Sequence, residues 1–376
     1  MLDIYIYLYG KNINRRPHHI LDNNQFDKGG AFLIRKNLSN LNRKHSHTDS
    51  KHKSCSYSKK NFAQIILISI FLVLLLIFPG ICRDGAKTGL LLWFNTMIPA
   101  TFPFILTTNI LISIGGIQLF NKRFGKGISY IFKCSQNGAY AIITGLLCGY
   151  PIGAKTVSDS FSAGYISKDE AHYLLTFCSI PSPVYLMNYV IDASLKKSFL
   201  TLPYLISVYA GCWLTAMTFY LFYFRKRFIF RSRNLSDFRH YKPQTVPSSV
   251  KNLNTSMMSA LTVIQKMGIY MILFSILATL IMQLPGELVR LKILKVFSAG
   301  ICEQTIGVFV TVTHIENNLL SCLICMFLTC FGGIAVAMQA RSLTNQQLDF
   351  SFYIKGKLLH AMYSSFILGI LLIYFV

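Results

Sequence analysis

From residue 62 onward the chain keeps returning to apolar stretches about as long as a bilayer's hydrocarbon is thick, and nothing else limits its fold so severely. Phe62–Cys82 is the first of them, and within it Ile65–Phe78 is almost unbroken. Roughly 20 such residues carry a helix across the membrane core. The expected fold class is therefore all-α, a polytopic membrane protein. Composition agrees: 53% of residues are hydrophobic and 14% charged, against roughly 25% charged in a soluble domain. The 29 Phe and 20 Tyr suit rings that anchor spans at the headgroup level.

A formal charge of +23 could point to nucleic acid, but its distribution points to the bilayer. Residues 1–60 hold 12 Lys and Arg against 4 Asp, a net +8, and Arg225–Lys251 holds 8 against Asp237, a net +7. Both blocks abut apolar spans, which is the pattern of cytoplasmic segments under the positive-inside rule. Basic runs alone are a weak motif, so the partner expected is lipid and not nucleic acid. The sequence predicts a basic extension of little fixed structure over 1–60, and no cleaved signal peptide. A membrane domain over 61–376 follows, its halves 61–224 and 256–376 joined by a basic cytoplasmic loop over 225–255.

Seven of the ten cysteines (Cys148, Cys178, Cys212, Cys302, Cys322, Cys325 and Cys330) lie in apolar surroundings. Cys322 and Cys325 have CxxC spacing inside a membrane-length helix, with no second pair and no nearby histidine, so helix packing explains them better than metal. Five of the nine histidines sit in the amino-terminal extension, and His172, His240, His314 and His360 are scattered. No GxSxG, HExxH or phosphate loop occurs. The sequence thus predicts no enzyme, no catalytic residue, no metal and no cofactor.

Spans are expected at Phe62–Cys82; at Gly89–Ile114, kinked by Pro99 and Pro103; at about Ala171–Ile191; and at Leu200–Phe224. In the second half they are expected at Val263–Met282, Leu319–Met338 and Leu358–Val376. Asn137–Cys148 and Phe297–Val310 are too short to cross and read as re-entrant. Lys122, Arg123, Lys126 and Lys133, and later Arg341, Lys355 and Lys357, mark cytoplasmic connections. Ser167 with Glu170 three residues on reads as a capping box. About seven crossings place the amino terminus inside and the carboxyl terminus outside. The two halves echo one another loosely, as an inverted repeat would.

Functional candidates gather where apolar segments break. Gly149, Pro151 and Gly153 stop one half-helix and start another, since glycine admits unusual backbone angles and proline cannot donate. Backbone of that kind at membrane depth is tolerated where it is buried or lines a watery cavity, the usual home of transporter substrate sites. Lys155 and Thr156 fall in the new first turn, followed by Ser158. A helix start attracts anions, and a lysine there would reinforce it. The alternative is close helix packing at the glycines and a lysine that snorkels outward. Ser179 and Ser182, around Pro181 and Pro183, could hydrogen-bond a polar solute or simply join helices. Glu303 with Thr305 could couple a proton or balance Lys155, or sit in water at the interface. Gly333 and Gln339 would form a mirror-related lining.

With these residues in view, the run Gly149-Tyr-Pro-Ile-Gly-Ala-Lys-Thr-Val-Ser-Asp159 and the following Gly164–Ser179 resemble the YlbJ (SpoVV) sporulation integral membrane proteins. Gly89–Gly116, Glu303-Gln-Thr-Ile-Gly307 and Gly332–Ser342 match in the same order, so the resemblance covers about 62–376. It extends to the nucleoside-recognition Gate domain group, which is similar to half of a concentrative nucleoside transporter. The resemblance implies a multi-pass protein that moves dipicolinic acid from the mother cell across the outer forespore membrane during spore cortex formation. A small anionic, dipicolinate-like solute would then meet Lys155 as counter-charge, with Gly149, Pro151 and Gly153 as cradle, Ser179 and Ser182 as contacts, and Glu303 as a coupling or gating group. The family tends to carry asparagine where this chain has Ser179–Ser182, and the 1–60 extension is unusual for it. A nucleoside carrier and a non-transporting scaffold for cortex or coat assembly are the rival classes; a homo-oligomer is left open.

Overall fold

The computed structural model describes residues 59–114, 116–225, 249–284 and 289–375, and residues 69–376 form one compact unit. Most of the 1–60 extension and of the 225–255 loop lies outside the described residues. Among the described residues the chain is helical throughout. In order, the α-helices are α1 (Lys59–Ile77), α2 (Pro79–Leu92), α3 (Ile98–Ser113), α4 (Gly116–Phe132), α5 (Gln136–Cys148), α6 (Ile152–Ser162) and α7 (Lys168–Leu175). They continue as α8 (Thr201–Phe219), α9 (Ser249–Met282), α10 (Val289–Cys302), α11 (Gln304–His314), α12 (Asn318–Phe331), α13 (Gly333–Leu343) and α14 (Ser351–Phe375). π-Helical turns occupy Trp93–Met97, Tyr185–Leu195 and Tyr220–Phe224, with a 3₁₀ turn at Ser198–Leu200.

Four segments are long and apolar enough to cross a membrane: Ser198–Phe224, Leu253–Met282, Asn318–Leu343 and Ser351–Tyr374. Gln64–Ile77 and Pro79–Met97 make a fifth if their 105° bend is read as one broken span. Phe62–Cys82 is therefore not one straight helix. Pro79 has no N–H to continue the ladder of α1, and Phe78 leaves helical geometry at φ −119°, ψ 54°. The other expected crossings are shorter or interrupted elements, so length and composition alone do not qualify them.

Helix α14 shows how the sequence sorts lipid from core. Met362, Phe366, Ile370 and Ile373 are exposed along one stripe, while Tyr353, Lys357, His360, Ala361, Ser364 and Leu368 are buried along the other. Spacings of three and four residues put each set on one face, and an exposed apolar stripe of that length is what a lipid-facing helix presents. The buried face packs on α8: His360 Nε2 lies 3.0 Å from Val208 O, and Thr218 Oγ1 lies 2.9 Å from Tyr363 Oη. Tyr204 Oη of α8 also donates to Cys322 O of α12 at 2.8 Å.

A second packing unit joins α2 to α9. Trp93 Nε1 donates to Ile264 O at 3.0 Å, and Gly89 lets Ser275 approach where any side chain would collide. Small residues at helix contacts are the usual route to close packing in a bilayer. Ser167 caps α7 as the sequence predicts, accepting from Glu170 N at 3.2 Å. The reciprocal half of the capping box is absent, because the Glu170 carboxylate accepts instead from Ser135 N at 2.7 Å. A cap residue of α7 thereby ties down the start of α5.

Candidate functional site

Four helix breaks converge in the middle of the described chain. The first separates α5 from α6. Gly149 stops α5 at φ +73°, and a cis peptide joins Tyr150 to Pro151. Tyr150 N then donates to Ile180 O at 2.9 Å, which ties this break to the second, the extended stretch Ser179–Ser182 between α7 and the Tyr185–Leu195 turn. Gly145 and Gly153 face each other across the α5–α6 hairpin and leave room for that stretch. A Cβ on Gly145 would stand 2.0 Å from Cys178 O, and one on Gly153 only 1.8 Å away. The cradle foreseen for a solute at Gly153 holds the chain's own carbonyl.

The third break lies between α10 and α11 at Glu303, which is 1% exposed. Its carboxylate caps α11, Oε2 accepting from Ile306 N at 2.8 Å, as acids at helix starts do. The fourth is Gly332–Gly333 between α12 and α13, at φ +84° and +71°. Gly333 is packed on the carbonyls that end α10, where a Cβ would sit 2.9 Å from Ile301 O.

Between these breaks is a cavity of about 30 Å³ whose polar wall includes Tyr150, Ser182, Glu303, Gln304, Thr305 and Gln339. That is room for about two waters and far too little for an aromatic dicarboxylate. Tyr150 Oη donates to Gln304 Oε1 at 2.7 Å, strapping the first break to the third. Tyr189 Oη donates to Thr305 O at 2.7 Å. Tyr185 stacks on Tyr189 at 5.5 Å and meets Tyr150 edge-on at 6.4 Å, so the two tyrosines of the wall, Tyr150 and Tyr185, are backed by a third. Gln339 Oε1 is buried with no hydrogen-bond partner, an arrangement that costs free energy unless something else satisfies it.

Of the residues singled out in the sequence, the structure brings Ser182, Glu303, Thr305 and Gln339 to this cavity. Gly149, Pro151, Gly153 and Gly333 shape the breaks around it. Lys155 and its neighbours lie elsewhere. Lys155 Nζ pairs with Asp159 Oδ2 one turn along α6 at 2.6 Å, with side chains 36% and 62% exposed. The α6 start is also less open than expected, since Gly153 N and Lys155 N already bond Gly149 O and Pro151 O at 3.2 Å. Thr156 Oγ1 returns to Ile152 O at 3.0 Å. Ser158 Oγ accepts from Asn345 N at 2.7 Å, docking α6 on the loop after α13.

The buried cation of the region is Lys357, 3% exposed. The sequence reading put it in a cytoplasmic connection with Arg341 and Lys355. The 3.6-residue period separates them: Lys355 is exposed, whereas Lys357 falls on the stripe of Tyr353, His360 and Ser364 and points inward. Its Nζ donates to Ser179 O at 3.0 Å and lies 4.7 Å from the centroid of the Tyr150 ring. Neither Lys357 nor Glu303 has an opposite charge within ion-pair distance among the described residues. Counting Lys357 with its helical face rather than with its linear neighbours was the signal available in the sequence. Tyr150, Tyr185 and Gln304 carried no such signal, because their roles depend on contacts between distant segments.

Asp349 precedes α14 and is exposed; its carboxyl is held below the ordinary value, chiefly by the hydrogen bond from Ser351 N. His172 Nε2 accepts from Asp349 N at 3.0 Å, so this corner orders the loop that leads into α14.

No family model matches the chain, and no solved structure matches it. A stretch of 134 residues is 27% identical to the sporulation integral membrane protein YlbJ of Bacillus subtilis (strain 168). It covers 35% of this chain and 33% of that protein, so the match spans about a third of the relative's length. The likeness is that of a distant relative, and with the apolar helices above it describes an integral, multi-pass membrane protein.

Proposed function

We propose that the chain is a sporulation membrane carrier that moves a small polar solute, first of all a dipicolinate-like dianion, through the centre where its helices break. The observation that carries this reading is the convergence of four breaks on a small cavity with polar groups in a mainly apolar lining, Glu303 in its wall and Lys357 behind Tyr150. Ionisable groups at membrane depth are costly and cluster on solute and proton pathways, and discontinuous helices frame such sites in carriers. A packing scaffold needs neither. The setting comes from the distant likeness to a sporulation integral membrane protein, and the dianion from the wider sequence resemblance. On this reading the amino terminus is cytoplasmic, the broken elements bring the crossings to about seven, the two halves are related by an inverted repeat, and the protein works in the outer forespore membrane as a carrier rather than a catalyst.

One observation favours a second solute class. The cavity wall itself offers Glu303, Gln304, Thr305 and Gln339 but no cation, a set suited to the hydroxyls and ring nitrogens of a neutral nucleoside-like solute. Uptake of labelled dipicolinate and of labelled uridine into vesicles holding the purified full chain separates the two. Dipicolinate uptake above that of empty vesicles supports the first reading, uridine uptake alone the second. Uptake of neither ends the carrier assignment. Because the cavity is too small for either solute, uptake of either requires an opening motion that separates Tyr150 from Gln304.

A further inference from the structure

Lys357 is a buried cation with no counter-charge among the described residues, and such a side chain is expensive to keep where it is. It lies about 9 Å along α14 from Ser351 at 1.5 Å per residue, inside a span, with one carbonyl and one aromatic face for company. Cys212, Cys330 and the Gly332 backbone supply no negative charge around it. Burying a cation without a counter-charge costs far more than filling the same space with an unbranched apolar side chain, and methionine would fill it. A structural role therefore gives no reason for the ammonium.

Two further observations say what it is for. Ser179, whose carbonyl accepts from the ammonium, also carries a buried hydroxyl with no hydrogen-bond partner. Tyr150 touches both compartments: its ring lies against the ammonium, while the residue lines the cavity and its hydroxyl holds Gln304. Breaking that one hydrogen bond frees the ring that stands beside Lys357.

We propose that Lys357 is the charge-reading residue of the cavity, its ammonium pairing with a carboxylate of the solute when the Tyr150 ring moves aside, with the Ser179 hydroxyl donating to the same carboxylate. Ser179 O and the ring hold the ammonium in place while the cavity is empty. This rests on the reading of a small anionic solute above, and it assigns the recognition of charge to α14 rather than to Lys155 on α6.

The test uses the purified full chain and thermal shift, with dipicolinate and its neutral diamide as probes. The expected result is stabilisation of the wild type by the dianion and not by the diamide. Lys357→Met is expected to keep or raise the apparent Tm without ligand, because an uncompensated charge is gone, and to weaken the dianion response at least tenfold. Lys357→Arg should retain part of the response, and Lys355→Met, on the exposed face of the same helix, all of it. A Lys357→Met protein that binds the dianion within twofold of wild type overturns the inference, as does a wild type that answers both probes equally or neither. Uridine transport without any dianion response also overturns it while leaving the carrier reading intact, so the two failures are distinguishable. A fall in ligand-free Tm in Lys357→Met together with an unchanged dianion response would mark the lysine as structural.

Discussion

The hairpins α5–α6 and α10–α11 use one backbone device for opposite ends. Each doubles two short helices back on themselves across a break, and each brings a pair of glycines into contact, Gly145 with Gly153 and Gly300 with Gly307. In the first, the polar side chains past the break are spent on the hairpin itself and its supports: Lys155 on Asp159, Ser158 on Asn345. In the second, the break residue is a buried acid that caps its own helix and also forms cavity wall. The first hairpin is a mould for the neighbouring stretch and lends the chamber Cys148 and Tyr150, while the second lends it Glu303, Gln304 and Thr305. A break in a membrane helix is thus not by itself a binding site. What matters is whether its polar groups are satisfied before a solute arrives.

Steric substitution should break the mould most severely. Gly153→Ala places a methyl 1.8 Å from Cys178 O, a backbone atom, and overpacking of that kind costs about 3 kcal/mol or more. The expected outcome is loss of monodisperse protein in size-exclusion chromatography, whereas Gly127→Ala, with nothing within 4 Å, leaves the profile unchanged. Glu303→Ala should come next. It removes the α11 cap, worth about 1 kcal/mol, and a wall group of the cavity, so a lower apparent Tm and loss of solute uptake are expected together. Glu303→Gln retains an acceptor for Ile306 N and should recover most of the Tm but not proton-dependent uptake. A full recovery of both would make the two hairpins more alike than their geometry indicates.

The lysine of the first hairpin gives a smaller effect. Lys155→Ala removes a partly exposed i,i+4 pair, a contribution of about 0.5 kcal/mol or less. The expected loss in dipicolinate uptake is far below that of Lys357→Met; an equal loss would restore α6 as the anion site.

The smallest effect concerns Glu170, whose carboxyl is pushed above its ordinary 4.5, chiefly by burial and against the hydrogen bonds from Ser135. Its folded form holds the proton more tightly than the unfolded chain does, so its contribution falls as pH rises from about 4.5 through the raised value. The Tm of wild type relative to Glu170→Gln should decline over that window and be flat above it.

Much of this architecture was legible in the residues. Gly149, Pro151 and Gly332 announce their breaks because glycine and proline act locally, and Ser167 announces a helix start for the same reason. The exposed stripe of α14 follows from spacing alone. The site was legible in part. Ser182, Glu303, Thr305 and Gln339 reach the cavity from the broken segments that drew attention to them, whereas Lys155 lies away from it and Lys357 lies behind Tyr150. Lys155 follows a break in sequence and finds Asp159 one turn on. Lys357 is remote from every break in sequence and adjacent to three of them in space, at Tyr150, Ser179 and Gly332. Which lysine meets the centre depends on how α14 lies against the Ser179 carbonyl, and no local pattern encodes that.

The strap of Tyr150 has a consequence for the bilayer that houses it. With amide and hydroxyl both engaged, Tyr150 lines a chamber that admits about two waters, too few to keep an inorganic ion hydrated on its way through. On the carrier reading proposed above, a membrane would then hold many resting copies without losing its voltage by this route. Cutting the phenol's tie with Tyr150→Phe should show first as a small standing current in planar bilayers, before any change in how fast cargo moves.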